Sequence, residues 1–190
     1  MDAARAATNA ASDEDLMCAY RDGRTAAFDE LYARHKNVLY GFMLRNCGEE
    51  QLANELYQDV WLRLINARAQ YRPDAKFRTW LFTIAHNRLK DHYRAQARRT
   101  ARIGATAAPV EDLPDQAPLP LDLAQQQELH TLLVQHIATL PLAQREAFLL
   151  QQEAGLSLDQ IADVVGATRE TVKSRLRYAV NKLRAVLRES

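Results

Sequence analysis

From Asp13 to about Arg99, apolar side chains return at three- and four-residue steps, a spacing that only a helix gathers onto one face. Leu16, Ala19 and Tyr20 form one such set, Phe28, Leu31 and Tyr32 another, and Leu52, Leu56, Val60 and Leu64 a third. No run of alternating β-branched residues competes with them. Breaks fall at Asp22-Gly23, at Asn46-Cys47-Gly48 and at Tyr71-Arg72-Pro73-Asp74, where Pro73 disfavours helical geometry at Arg72. The first part of the chain is therefore predicted to be a helical bundle.

Residues 100–121 differ in kind. They are Ala-rich, carry Pro109, Pro114, Pro118 and Pro120, and offer almost no large apolar side chain. Such a composition buries too little surface to offset its ordering entropy, and it is expected to be a flexible linker. The chain thus divides into residues 1–99, a linker at 100–121 and a second helical domain at 122–190. In that second part, Leu129, Leu133, Ile137 and Leu140 mark a helix that Pro141 stops. Ala143 to Glu153 form another, with Gly155 placed to end it. About seventy residues make a marginal free-standing core, so these helices must pack tightly on the two that follow.

Those two carry the clearest motif. Ser157 followed by Gln160 is a capping-box signature: the hydroxyl accepts from a free backbone N–H while Gln160 reaches back. Ile161, Ala162 and Val165 give the helix an apolar face, Gly166 ends it, and Thr168 caps the next helix. A helix, a short glycine turn and a second helix is the spacing of a DNA-reading helix-turn-helix. At 100° per residue, Val172, Leu176, Ala179, Val180, Leu183 and Leu187 of the second helix point one way. Glu170, Ser174, Arg177 and Asn181 point the other, flanked by Thr171, Lys173 and Tyr178. An outer face with donors, acceptors and cations suits the major groove, although an ordinary solvated face is also mixed.

The net charge of +1 hides a segregation along the chain. Residues 1–30 hold three bases and seven acids, residues 63–102 eleven bases and two acids, residues 110–129 five acids and no base, and residues 168–190 seven bases and two acids. The two basic blocks point to nucleic-acid contact at two places, since clustered Lys and Arg displace counterions whatever the total charge. The first block contains the helix beginning near Phe77. Its apolar residues Phe77, Trp80, Leu81, Phe82, Ile84, Leu89 and Tyr93 leave only a narrow strip of Thr79, Thr83, His86, Asn87, Lys90 and Arg94. Beside the loop Tyr71 to Lys76, which includes Arg72, that strip could hold a single strand, or be the wet edge of a core helix. Upstream, Glu55, Gln58, Asp59 and Leu62 line a helix near Glu50–Asn66. Its acids cannot hold DNA, and they either face a basic protein partner or solvent.

Other function classes lack their parts. No Gly-rich phosphate loop, H-E-x-x-H, G-x-S-x-G or activated nucleophile is present, so no enzyme, cofactor or metal site is expected. His86 and His92 lack partners at metal spacing, and Cys18 and Cys47 read as small half-buried side chains. No apolar stretch is long enough for a membrane span and no leader is visible, so a cytoplasmic protein is expected. A two-domain regulator of the response-regulator type, the main alternative, needs a receiver domain of alternating strands and helices. A stand-alone interaction protein is a further alternative.

Four stretches carry a family resemblance: Ala26-Ala27-Phe28-Asp29-Glu30-Leu31-Tyr32, Gln58 to Leu64, Phe77 to Asn87, and the helix-turn-helix. Together they resemble the extracytoplasmic-function sigma factors, the smallest members of the sigma-70 class of bacterial RNA polymerase sigma factors, over about Asp13 to Leu187. The resemblance implies an all-α chain of two small helical domains. Region 2 would dock on the polymerase clamp through the Gln58 and Asp59 helix and recognise and melt the minus-10 element, with Asn87 and the loop Tyr71 to Lys76 capturing a flipped base. Region 4 would bind the polymerase flap and read the duplex minus-35 element with the helix after Thr168. Sequestration by an anti-sigma factor is usual in such a family.

Overall fold

The computed structural model describes residues 11–103 and 131–189. Every regular element among them is helical. Helices α1 (Asp13–Arg21), α2 (Thr25–Cys47), α3 (Glu50–Ala67) and α4 (Phe77–Ile103) form the first bundle, with a 3-10 turn at Arg68–Gln70 before the loop to α4. Residues 131–138 (α5), α6 (Leu142–Gln152), α7 (Leu158–Val165) and α8 (Arg169–Glu189) form the second.

Local chemistry explains the boundaries. Ser12 caps α1 by accepting from the Asp15 N–H, and Asp13, Glu14 and Asp15 place negative charge at the positive end of its dipole. Gly48 ends α2 in the left-handed conformation, φ 73°, its N–H donating to the Leu44 carbonyl. Helix α4 runs to Ile103, past the expected limit at residue 99; the rest of the expected linker lies outside the described residues.

The first core is built where the three long helices converge. Leu39, Phe42 and Met43 of α2, Leu56, Val60 and Leu64 of α3, and Leu81, Phe82, Ala85 and Leu89 of α4 are all fully buried. Phe42 and Phe82 meet edge to face at 5.2 Å, a geometry that adds to their burial. In the second bundle Leu149, Leu150, Ile161, Val172 and Ala179 fill the space between α6, α7 and α8.

A core this small gains by being continued, and here it is continued by the first bundle. Helix α7 lies against α4 and α6 against α2, so the two sets of buried residues form one contiguous cluster. Polar contacts fix the joint. Arg45 pairs with Glu153 at 2.9 Å, and Arg78 donates to the Ala154 carbonyl at 3.1 Å. The Asn46 carbonyl accepts from both Arg145 at 2.8 Å and the Tyr93 hydroxyl at 2.7 Å. His86 Nδ1 meets the Glu146 carboxylate at 3.0 Å, with both residues buried. Burial raises the Glu153 carboxyl above its usual value, more than Arg45 lowers it.

Candidate nucleic-acid interfaces

The helix-turn-helix assembles from its caps. Ser157 accepts from the Gln160 N–H at 3.3 Å while the Gln160 side chain accepts from the Ser157 N–H at 2.9 Å, closing the capping box. Gly166 takes φ 63°, which costs a residue without Cβ nothing, and Thr168 accepts from the Thr171 N–H at 3.2 Å to start α8. Val172, Leu176, Ala179 and Leu183 then lock α8 down by their buried faces. Thr168, Glu170, Thr171, Lys173, Arg177, Tyr178 and Asn181 are exposed, and Ser174 is half-buried. The Arg177 guanidinium lies 5.4 Å from the Tyr178 ring centre, which stiffens an exposed cation. Lys173 and Glu170 stand 4.0 Å apart in solvent, too exposed to be fixed to each other.

The strip on α4 is only partly as its spacing predicts. Asn87, Lys90 and Arg94 are exposed, and Thr83 is half-buried, its hydroxyl donating to the Thr79 carbonyl at 2.8 Å. His86 does not belong to the open strip. It faces α6 and is 7% exposed, because Glu146 closes over it. Tyr71 also departs from expectation: it is 2% exposed, packed 5.1 Å from Trp80, with its hydroxyl donating to the Ala75 carbonyl at 2.9 Å. The exposed part of its loop is Arg72 to Lys76. Buried Tyr71 is the post on which that loop is wound, and burial raises its hydroxyl well above the usual range.

Two cations that the spacing argument passed over take part. Arg175 of α8 lines a cleft with Lys90, Arg94 and Glu146, so the basic strip of α4 continues onto the second bundle. Arg88 of α4 crosses to α3. Its Nε donates to Asp59 at 2.5 Å and its Nη2 lies 4.0 Å from Glu55. Asp59 is thereby held half-buried, while Glu55, Gln58 and Leu62 remain exposed, Leu62 at 57%. Arg88 was findable: two acids one helical turn apart on a face that packs on α4 call for a cation opposite. Tyr32, Tyr57 and Trp61 extend this face as a packed aromatic patch, with Tyr57 donating to the Tyr32 hydroxyl at 3.1 Å.

Among the described residues no group of His, Cys, Asp and Glu is arranged to hold a metal ion, and no helix is long and apolar enough to cross a membrane. Cys18 and Cys47 are half-buried, and burial pushes the Cys47 thiol up to about 12, which keeps it protonated and unreactive.

Comparison with known proteins agrees with this arrangement. Residues 31–99 match Sigma-70 region 2, and residues 136–185 match Sigma-70, region 4. The chain is 32% identical to the RNA polymerase sigma factor CarQ of Myxococcus xanthus, covering 90% of this chain and 94% of CarQ. It is likewise 32% identical to the ECF RNA polymerase sigma factor SigL of Mycobacterium tuberculosis, over 84% of this chain and 88% of SigL. In fold it resembles the sigma factor RpoE of Bartonella quintana, solved as a co-crystal with the anti-sigma factor NepR, with a TM-score of 0.70, 24% identity, and coverage of 85% of this chain and 96% of that one. Two regions matched in order, in a chain that aligns with small sigma factors over nearly its whole length, place it: the protein belongs to the sigma-70 family, in the extracytoplasmic-function group, and is an alternative sigma factor that directs transcription initiation.

Proposed function

We propose that the chain divides its work between two DNA-binding surfaces and one polymerase-binding face. Helix α8 reads the minus-35 duplex through Arg177, Glu170, Ser174 and Asn181, with Thr168, Thr171, Lys173 and Tyr178 at the edges. The loop Arg72 to Lys76 and the strip Thr83, Asn87, Lys90 and Arg94 hold the non-template strand at minus-10. Phosphates meet Arg and Lys there, and a base displaced from the stack meets the Asn87 amide. Tyr71 serves from within, by fixing the loop, and His86 comes into reach only when the second bundle moves away. The observation that carries this reading is the exposed polar face of α8 together with an exposed Asn87 strip, each backed by a buried face.

Glu55, Gln58, Asp59 and Leu62 form the face that docks on polymerase, where an exposed leucine beside acids suits a partner with a basic rim and an apolar centre. Strand opening is driven by binding energy and not by catalysis, so the protein is not an enzyme, and it works in the cytoplasm, where polymerase meets the chromosome. An anti-sigma factor is its regulatory partner, a reading supported by the family and by the complex in which the similar RpoE fold was solved. The two matched regions, 31–99 and 136–185, support a division into residues 1–99 as region 2, 100–121 as linker and 122–190 as region 4, with the last turn of α4 carrying region 2 on to Ile103.

The decisive experiment adds the purified chain to core polymerase and sequences the transcripts made on genomic DNA. Discrete start sites sharing a two-part upstream element are expected. Transcription without sequence preference, or none, refutes the division of roles.

A further inference from the structure

Helix α1 lies before the segment matched to region 2, yet it holds both ends of the loop proposed to capture a base. At the far end, the Glu14 carboxylate accepts from the Phe77 N–H at 3.0 Å. Phe77 is the first residue of α4, and its N–H is one of the donors that a helix leaves unpaired. At the near end, Arg21 Nη1 donates to the Tyr71 carbonyl at 3.3 Å. Between these points the loop is tied to itself, by the Tyr71 hydroxyl on the Ala75 carbonyl and by the Ala75 N–H on the Arg72 carbonyl, and to the first turn of α4, where the Lys76 carbonyl accepts from the Trp80 N–H at 3.1 Å.

Helix α1 is itself firmly seated. Leu16 and Met17 are buried in the core, and Asp13 pairs with Arg34 of α2 at 2.8 Å and with His35 at 2.6 Å. The loop is thus strung between two side chains on one rigid strut, while Arg72 to Lys76 stay exposed. We infer that α1 is a positioning element for minus-10 recognition, with Glu14 and Arg21 as positioning residues that set the spacing and angle of the Arg72 to Lys76 loop against Asn87. Neither touches DNA. They act by narrowing the set of loop shapes, so that the correct base gains contacts that a wrong base cannot gain.

This inference rests on the base-capture reading of the loop, and its test keeps the two apart. Holoenzymes carrying Glu14→Ala, Glu14→Gln, Arg21→Ala, Arg72→Ala and Lys76→Ala are compared on a promoter mapped by transcript sequencing and on its single-base minus-10 variants. The readout is the ratio of open complexes on cognate and altered promoters, alongside core binding and melting temperature. Glu14→Ala and Arg21→Ala are each expected to lower that ratio by about fivefold, the scale of one lost helix cap, with core binding unchanged. Glu14→Gln, whose amide oxygen still accepts from Phe77, is expected to stay within about twofold of the parent. A merely structural role would lower open complexes on all promoters alike and leave the ratio unmoved. That result, with Arg72→Ala and Lys76→Ala moving the ratio, overturns the role of α1. A ratio that Arg72→Ala and Lys76→Ala also fail to move overturns the base-capture reading and the inference with it. Should Glu14→Ala fold poorly, Arg21→Ala decides alone, since its half-exposed guanidinium contributes little to the core.

Discussion

Asn87 stands exposed on α4 between a half-buried threonine and two exposed cations, where an amide can offer both a donor and an acceptor to a base edge. Replacing it with alanine removes reading power but no core contact. Asn87→Ala is therefore expected to cut open-complex formation by about tenfold, the equivalent of one good base contact, while co-purification with core polymerase stays normal. His35 is a residue of the opposite kind: it is 1% exposed, and burial lowers its pKa below 6.5 by more than the Asp13 carboxylate raises it, with Arg78 and Arg34 adding to the fall. A folded histidine that resists protonation leaves the unfolded chain to take up the proton first. Its contribution is thus complete above about 6.5 and is lost as the pH falls towards the lower folded value. For Asp13, burial acts to raise the pKa, but the hydrogen bond from Arg34 and the charge of His35 outweigh it. The net value is below 3.8, so its own loss of stability comes at still lower pH. Melting temperature should therefore drop between pH 7.5 and 5.5, and His35→Gln should flatten that slope.

Among the elements, α7 and α8 were the most legible from sequence because their determinants are local. Ser157, Gln160, Gly166 and Thr168 each act within one helical turn, and each is seen in its predicted role. The prediction that belongs to α8 concerns Arg177, whose guanidinium is exposed and steadied by Tyr178. Arg177→Ala should weaken promoter binding by holoenzyme by about 1–3 kcal/mol in a mobility-shift assay. Helix α4 was legible in its apolar face and not in its polar edge. Periodicity places His86 beside Thr83 and Asn87, but it cannot say that another helix will lie along one side of the strip, and Glu146 is distant in sequence. Tyr71 misled for a similar reason: a tyrosine in a polar loop looks exposed until the hydroxyl's partner, the Ala75 carbonyl, is known. Arg88 bonding across to Asp59 is again a contact between helices: the spacing of Glu55 and Asp59 calls for a cation opposite, but spacing within α3 does not name which residue of α4 supplies it.

At the scale of the molecule, the two bundles touch, and the proposed roles require them to part. Elements centred near minus-10 and minus-35 lie about 25 base pairs apart, or roughly 85 Å at 3.4 Å per pair. Bundles sharing one core cannot cover both. Binding to polymerase must then supply the free energy that breaks the joint at Arg45, Asn46, His86, Arg145 and Glu146. Dyes placed at Asn54 and Asp163, both exposed, should show high energy transfer in the free protein and low transfer once core polymerase is added. Equal transfer in both states would show that the joint persists in holoenzyme.

The shared carbonyl of Asn46 sets a condition on protein engineering. It accepts from Tyr93 of its own bundle and from Arg145 of the other, so one oxygen serves both halves. A chimera that kept residues 1–103 and borrowed its reading head from a relative would exchange promoter preference as intended. Unless the graft also brought an arginine to the place of Arg145 and an acid to that of Glu146, the Asn46 carbonyl and His86 would lose their partners across the joint, and its two halves would be held together less tightly.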